Sequence, residues 1–152
     1  MLCVGTFYLR IDTWDCDLGK AWESPEVGGV IPAGSRVSFY YGKKALSAVS
    51  FKEDHSAEHQ VQGASCGSSV NFYRSGHIQS CDLFTGMTFT SGLELKKGDI
   101  VNFSEGGQLT GVQFGSSRTF GEVTYAANTH VLIDAAGVVT ADPESDAPSQ
   151  DP

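Results

Sequence analysis

A β-hairpin pattern recurs along this chain, and it limits the available folds more than any other feature. The clearest copy is residues 70–78, where apolar and polar residues alternate, a Ser-Gly turn interrupts them, and apolar residues then resume. This pattern predicts two antiparallel strands joined by a short loop. With a three-residue loop at 74–76, Phe72 lies opposite Ile78, and Gly76 takes the left-handed conformation that glycine favours.

Four copies of the pattern follow one another. Their leading valines, at positions 37, 70, 101 and 131, are 33, 31 and 30 residues apart, which indicates an internal repeat. The first copy has a loop one residue longer, at 41–44. The predicted cross-strand pairs are Phe39/Leu46, Phe72/Ile78, Phe103/Leu109 and Ile133/Val139. Three positions before the valines stand Gly34, Gly67, Gly98 and Asn128, all of them residue types that tolerate positive φ.

Composition agrees with an all-β fold. The 152 residues include 18 Gly and only 2 Met, and no stretch of ten or more has helical periodicity. We therefore predict about four antiparallel β-hairpin repeats of roughly 30 residues in an elongated twisted sheet. A compact β-sandwich or barrel and a β-solenoid are the alternatives. Residues 1–28 are predicted as an N-terminal capping strand and loop, 29–141 as the four-copy hairpin domain, and 142–152 as a disordered acidic tail.

Two tryptophans mark the N-terminal segment. Apolar residues alternate with polar ones over 7–11 and predict a strand with one buried face, and residues 16–20 are predicted as a loop. Trp14 and Trp22 flank this loop. They either cap the open end of a hairpin stack or form an aromatic binding platform.

The charge disfavours two classes of partner. The net charge is −8, and Asp142, Glu144, Asp146 and Asp151 contribute to it from the last eleven residues. A chain without a basic face is a poor partner for nucleic acid and for anionic lipid. No apolar run is long enough to span a bilayer, and no signal peptide is predicted from the first residues. The bacterial cell envelope, secretion and the cytoplasm all stay open as locations.

The G-x-x-V-x-F-x-x-x-G-x-L pattern resembles MORN-type and MORN-variant bacterial repeats. The matching pieces are residues 67–78 and 98–109 and, more loosely, 34–46 and 128–139, so the resemblance covers roughly residues 27–140. It implies a row of antiparallel hairpins in an elongated twisted sheet that serves binding or scaffolding. Such repeats have no catalytic residues of their own.

His55 and His59 are the only metal-site candidates in the sequence. They are four residues apart, so on a helical turn both imidazoles share a face. Ser56 stands where an H-E-x-x-H metalloprotease has glutamate, so that motif is absent, and a solvated polar loop is the alternative. The sequence has no nucleophile elbow, phosphate loop or dinucleotide fingerprint. No catalytic residue and no cofactor are predicted.

The four cysteines are spaced as two candidate pairs and match no zinc pattern. Regular pairing across the second hairpin copy places Cys81 opposite Ser69, so Cys66 reaches Cys81 only if the chain bends at Gly67. Free thiols and disulfides both stay open, because the compartment is open. The candidate pairs are Cys3/Cys16 and Cys66/Cys81.

These observations favour a non-catalytic repeat module that binds or scaffolds a protein or a cell-surface component. The alternative is a small metal- or sugar-binding β protein or enzyme that uses the His55/His59 segment and the tryptophans. A metal titration and the shape in solution distinguish the two. The sequence leaves the oligomeric state open.

Overall fold

The computed structural model describes residues 3–9, 13–41, 45–52, 58–89, 91–120, 122–134 and 136–141. These residues form strands and turns and no helix, which confirms the all-β prediction. The predicted tail, His55, Ile11 and loop positions 42–44 lie outside them. The strands are β1 (Cys3–Leu9), β2 (Thr13–Leu18), β3 (Trp22–Ser24), β4 (Gly29–Ile31), β5 (Arg36–Tyr40), β6 (Leu46–Ser50), β7 (His59–Val61), β8 (Ala64–Phe72), β9 (Ile78–Leu83), β10 (Met87–Thr88), β11 (Glu94–Leu95), β12 (Ile100–Phe103), β13 (Leu109–Gln113), β14 (Arg118–Phe120), β15 (Val123–Tyr125), β16 (His130–Ile133) and β17 (Val139–Ala141).

The largest sheet is an antiparallel meander. Its strand order is β1-β2-β5-β6-β8-β9-β12-β13-β16-β17, and β7 pairs with the start of β8. The strand pairs β5–β6, β8–β9, β12–β13 and β16–β17 are called here the first, second, third and fourth long hairpins. The two outer strands are β1 and β17, and the described strands form no closed barrel.

Short hairpins precede the long ones along the chain. They are β3–β4, β7 with the start of β8, β10–β11 and β14–β15. Ile31, Val61 and Leu95 from the short hairpins belong to the same buried cluster as Val37 and Val101 from the long ones. The short hairpins therefore cover one face of the main sheet and close the core against it.

The predicted cross-strand pairs are all confirmed. Phe72 lies opposite Ile78, and the pairs Phe39/Leu46, Phe103/Leu109 and Ile133/Val139 form as expected. Each is the last strand pair before its loop, so turn chemistry sets its register. The turn glycines agree, because Gly76 has φ of 94° and Gly107 has φ of 87°.

Three of the four residues that stand three positions before a leading valine have positive φ, namely Gly34, Gly98 and Asn128, whereas Gly67 does not. Gly67 lies within β8, where three residues, 67–69, oppose the single residue Asp82. The carboxylate of Asp82 occupies this bulge and accepts hydrogen bonds from the N–H groups of Ser68 (2.9 Å) and Ser69 (2.8 Å). A Cβ on Gly67 would lie 2.9 Å from Asp82 Oδ2, so a side chain there would force the carboxylate out of the bulge.

The cysteines have a different register from the predicted one, because strand pairing is irregular at two places in this hairpin. An extra residue after Ile78 places Cys81 opposite Val70 rather than Ser69, and the bulge then returns Cys66 to within 5.7 Å of Cys81 between Cα atoms. The two form a disulfide. Cys3 and Cys16 form the second disulfide, with Cα atoms 5.6 Å apart.

The N-terminal segment departs from its prediction. It contains two strands, because residues 16–18 belong to β2 and not to a loop. Trp14, Cys16 and Leu18 alternate with acidic residues, a period of two that marks a strand. β2 then pairs with β5, which joins the segment to the main sheet.

Candidate functional site

A groove of about 650 Å³ lies beside the third long hairpin. One wall is the turn region 60–65 between β7 and β8, and the other is residues 85–89 around β10. This volume is within the range of pockets that hold small ligands or inserted side chains. The floor is apolar and consists of Leu83, Val101, Phe103 and Leu109.

The short hairpins close the equivalent places on the first and second long hairpins. In the turn between β3 and β4, Glu26 Oε2 accepts a hydrogen bond from the N–H of Leu46 at 2.9 Å. In the turn between β7 and β8, Gln62 Oε1 accepts one from the N–H of Ile78 at 3.1 Å. Leu46 and Ile78 hold the same register position, so each turn is fixed over the end of its long hairpin.

The turn between β10 and β11 bypasses the third long hairpin. The hydroxyl of Ser91 donates a hydrogen bond to the carbonyl oxygen of Gly137, 2.8 Å away in the loop of the fourth long hairpin. Phe89 lies directly against the same glycine. This turn therefore covers the fourth long hairpin and leaves the end of the third open.

The uncovered pair is more exposed than its counterpart. Phe72 and Ile78 on the second long hairpin are only 0% and 4% exposed, whereas Phe103 and Leu109 are half-buried. Four hairpins that stack in the same way would bury Phe72 and Phe103 equally, and Phe103 departs from that expectation. The cause is that the turn between β10 and β11 contacts the loop of the fourth long hairpin instead of the end of the third.

The third long hairpin also has an N–H group without the acceptor that its counterparts have. Leu109 holds the register position of Leu46 and Ile78. No side chain of the described residues accepts a hydrogen bond from the N–H of Leu109. The groove floor thus lacks the side-chain cap that the first and second long hairpins have at this position.

A row of tyrosine contacts ends at the same hairpin. The hydroxyl of Tyr40 donates to the carbonyl oxygen of Phe72 at 2.5 Å, and that of Tyr73 donates to the carbonyl oxygen of Phe103 at 2.6 Å. Each tyrosine directly follows the phenylalanine of its own hairpin. The residue after Phe103 is Ser104, whose short side chain bonds within its own loop.

The rim of the groove carries one anionic group and one exposed apolar side chain. The carboxylate of Glu58 accepts hydrogen bonds from the hydroxyls of Ser65 and Thr85. Hydrogen bonds with Ser65, Gln60 and Thr85, in that order of effect, lower the pKa of the Glu58 carboxyl from its ordinary value, so Glu58 is ionised at neutral pH. Met87, 47% exposed, lies on the opposite wall.

The two predicted aromatic candidates lie away from this groove. Trp14 stacks on Phe39 with ring centroids 4.9 Å apart, and Trp22 tilts against the same ring at 5.7 Å. Both are half-buried and pack against the core at the first long hairpin. Both rings therefore take part in core packing at the first long hairpin.

The helical turn expected for the metal candidates is not formed at His59. His59 begins β7, and its ring stacks on Phe51 at a centroid distance of 3.7 Å. Its Nε2 is buried and has no hydrogen-bond partner. Burial lowers the pKa of His59 below its ordinary value. Within the described residues, no three metal-ligating side chains come together.

Sequence reasoning missed the groove residues Glu58, Met87, Phe103 and Leu109 as a set. Two local signals were present: Ser104 replaces the tyrosine of the earlier copies, and the turn at 89–92 lacks the Glu or Gln found in the two covering turns. Neither signal shows which long hairpin a short turn reaches, because that depends on contacts distant in sequence.

The part of the chain that the structure describes has no helix able to cross a bilayer. Comparison with protein-family models, with curated proteins and with solved structures finds no match for this chain.

Proposed function

We propose that this chain is a non-catalytic binding module of MORN-like β-hairpin repeats, and that its groove holds apolar side chains of a protein partner. The observation that carries the proposal is the half-buried pair Phe103 and Leu109. The equivalent pairs are covered by the chain itself, so this pair is the place where the layer of short hairpins leaves core surface open.

Recurring backbone contacts support the repeat part of the proposal. Where one strand pair ends, the last residue of its second strand, or the residue directly after it, donates its N–H to the next segment of the chain. The acceptor is the carbonyl of the residue two positions before the next leading valine. An isolated hairpin is marginal in water, so such links between neighbours are what a repeat array needs. The four contacts are Leu18 to Ser35 (2.9 Å), Phe51 to Ser68 (2.9 Å), Leu83 to Asp99 (2.8 Å) and Phe114 to Thr129 (3.0 Å).

The chemistry of the groove suits binding. Its floor is apolar, and its charged group, Glu58, is engaged by two hydroxyls that favour its ionised form. Apolar floors with a few polar groups at the rim are typical of recognition sites. Both cysteine pairs form disulfides, which favours an exported protein with an extracellular or cell-surface partner.

Selection of displayed random peptides on the disulfide-bonded protein tests this function. Enriched peptides are titrated against the wild type, Met87→Lys at the rim, and Val30→Lys as a control. Val30 is 59% exposed and does not line the groove, so the control makes the same charge change elsewhere. We expect Met87→Lys to weaken binding at least tenfold and Val30→Lys to leave it unchanged. Equal binding to all three forms, or no enriched peptide, would contradict the proposal.

A further inference from the structure

We propose that the groove accepts a β-turn of another polypeptide that presents an aliphatic side chain next to a glutamine. This turn would take the place of the covering turn that the third long hairpin lacks. The inference rests on the proposed function and adds the chemistry of the partner segment.

The two covering turns within the chain define what such a segment looks like. In the first, Glu26 is the acceptor and the adjacent Val27 is 4% exposed; in the second, Gln62 is the acceptor and the adjacent Val61 is 0% exposed. Both turns therefore pair one buried valine with one side-chain oxygen. The oxygen satisfies a backbone N–H, and the valine covers apolar surface.

The third long hairpin has the groups that such a turn would contact, namely a backbone N–H and a partly exposed apolar pair. Leu109 lacks the side-chain acceptor that Leu46 and Ile78 have, and it lies beside Phe103 on the groove floor. An aliphatic side chain that enters the groove removes both residues from water. A carboxamide oxygen of the same turn would accept a hydrogen bond from the N–H of Leu109, as Gln62 Oε1 does from the N–H of Ile78.

Charge selects glutamine over glutamate. Glu58 is ionised at the rim, and the chain carries a net charge of −8. A carboxylate brought into the groove would meet a like charge, whereas a carboxamide offers the same acceptor without that repulsion. A lysine or arginine beside the glutamine would pair with Glu58.

The segments of the chain closest in sequence to the groove wall and to the C-terminus do not fit the description. Residues 53–57 contain Glu, Asp, His, Ser and Ala, and residues 142–152 contain no Val, Leu, Ile or Met. We therefore assign the partner segment to another polypeptide, and an intermolecular peptide is the form in which it is tested.

The test uses cyclic peptides that carry residues 59–64 of this chain, the second covering turn, between two bridged cysteines. They are titrated into the intact ¹⁵N-labelled protein, and the amide signals of Leu109 and Ile78 are followed. We expect the Leu109 signal to shift and the Ile78 signal to stay, because Gln62 already covers Ile78. The same peptide with Gln62→Glu, and the same peptide with Val61→Ser, should each bind about tenfold more weakly.

Several outcomes would overturn the inference. Equal affinity of the three peptides, or no shift of the Leu109 signal, would show that a turn with valine and glutamine is not the preferred occupant. If linear peptides from the random selection still move the signals of Phe103 and Met87, the groove binds polypeptide but not this turn, and the proposed function stands. If neither kind of peptide moves them, both proposals fail.

Discussion

The hydroxyl of Tyr73 donates a hydrogen bond to the carbonyl oxygen of Phe103, 2.6 Å away, and so joins the second and third long hairpins. Removing this hydroxyl in Tyr73→Phe should lower the free energy of unfolding by about 1 kcal/mol, the usual net value of one hydrogen bond. Tyr40→Phe, which removes the equivalent bond to Phe72, is the matched variant and should behave alike. Chemical denaturation measures both. No loss in either variant would show that these contacts do not hold neighbouring hairpins together.

A buried ion pair holds the β14–β15 hairpin to the main sheet. Asp99 and Arg118 are 1% and 8% exposed, and the guanidinium contacts both carboxylate oxygens. Arg118→Leu leaves the Asp99 carboxylate buried without its partner and should cost about 3–5 kcal/mol of stability. The double variant with Asp99→Asn should recover part of the loss, because it removes the uncompensated charge. If urea titrations gave the single and double variants equal stability, the ion pair would not be buried as described.

The bulge opposite Asp82 predicts unequal effects of two glycine substitutions. Gly67→Ala places a Cβ against the Asp82 carboxylate and should cost about 1–3 kcal/mol, as overpacking does. Gly29→Ala is the control, because Gly29 is also in a strand, has no positive φ and has open space around it. Thermal unfolding followed by circular dichroism compares them. Equal midpoints for the two variants would mean that the bulge has a different shape.

His59 should make stability depend on pH. Burial lowers its pKa, so between that lowered pKa and the unfolded value of about 6.5 the folded state binds fewer protons than the unfolded state, and the free energy of unfolding falls as the pH falls through this window. Above this window the contribution is fully present. His59→Phe keeps an aromatic ring on Phe51 and should flatten the pH profile between 5 and 7. Denaturation midpoints at several pH values would refute this if His59→Phe had the same profile as the wild type.

The sequence predicted those parts of the fold that local chemistry decides. Glycine at a left-handed turn position and alternation on either side fix the pairing of Phe72 with Ile78, so the registers could be derived. The bulge at 67–69 could not, because it forms around Asp82 on the next strand. The alternation of Trp14 with Asp15 and Asp17 is typical of a strand. The turn residues after Asp17 favoured a loop over 16–20, and that loop prediction was wrong for residues 16–18.

The strand pairing at the candidate site could be predicted from the sequence, but the exposure of its residues could not. The hairpin pattern identifies Phe103 and Leu109 as a cross-strand pair, and this pairing is confirmed. Their exposure depends on the turn at 89–92, which reaches Gly137 instead of the third long hairpin. Contacts between residues 46 positions apart leave no periodic trace in the sequence.

The third long hairpin lacks the covering turn that the second has. The most direct measurement is the free energy of unfolding of Phe72→Ala and Phe103→Ala, each against the wild type. Phe72 is fully buried, so Phe72→Ala should cost about 3–5 kcal/mol. Phe103 borders the groove and should cost roughly half as much, because part of its ring already contacts water. Equal losses for the two variants would show that Phe103 is covered in the folded protein, and the groove and the binding function proposed for it would both be contradicted.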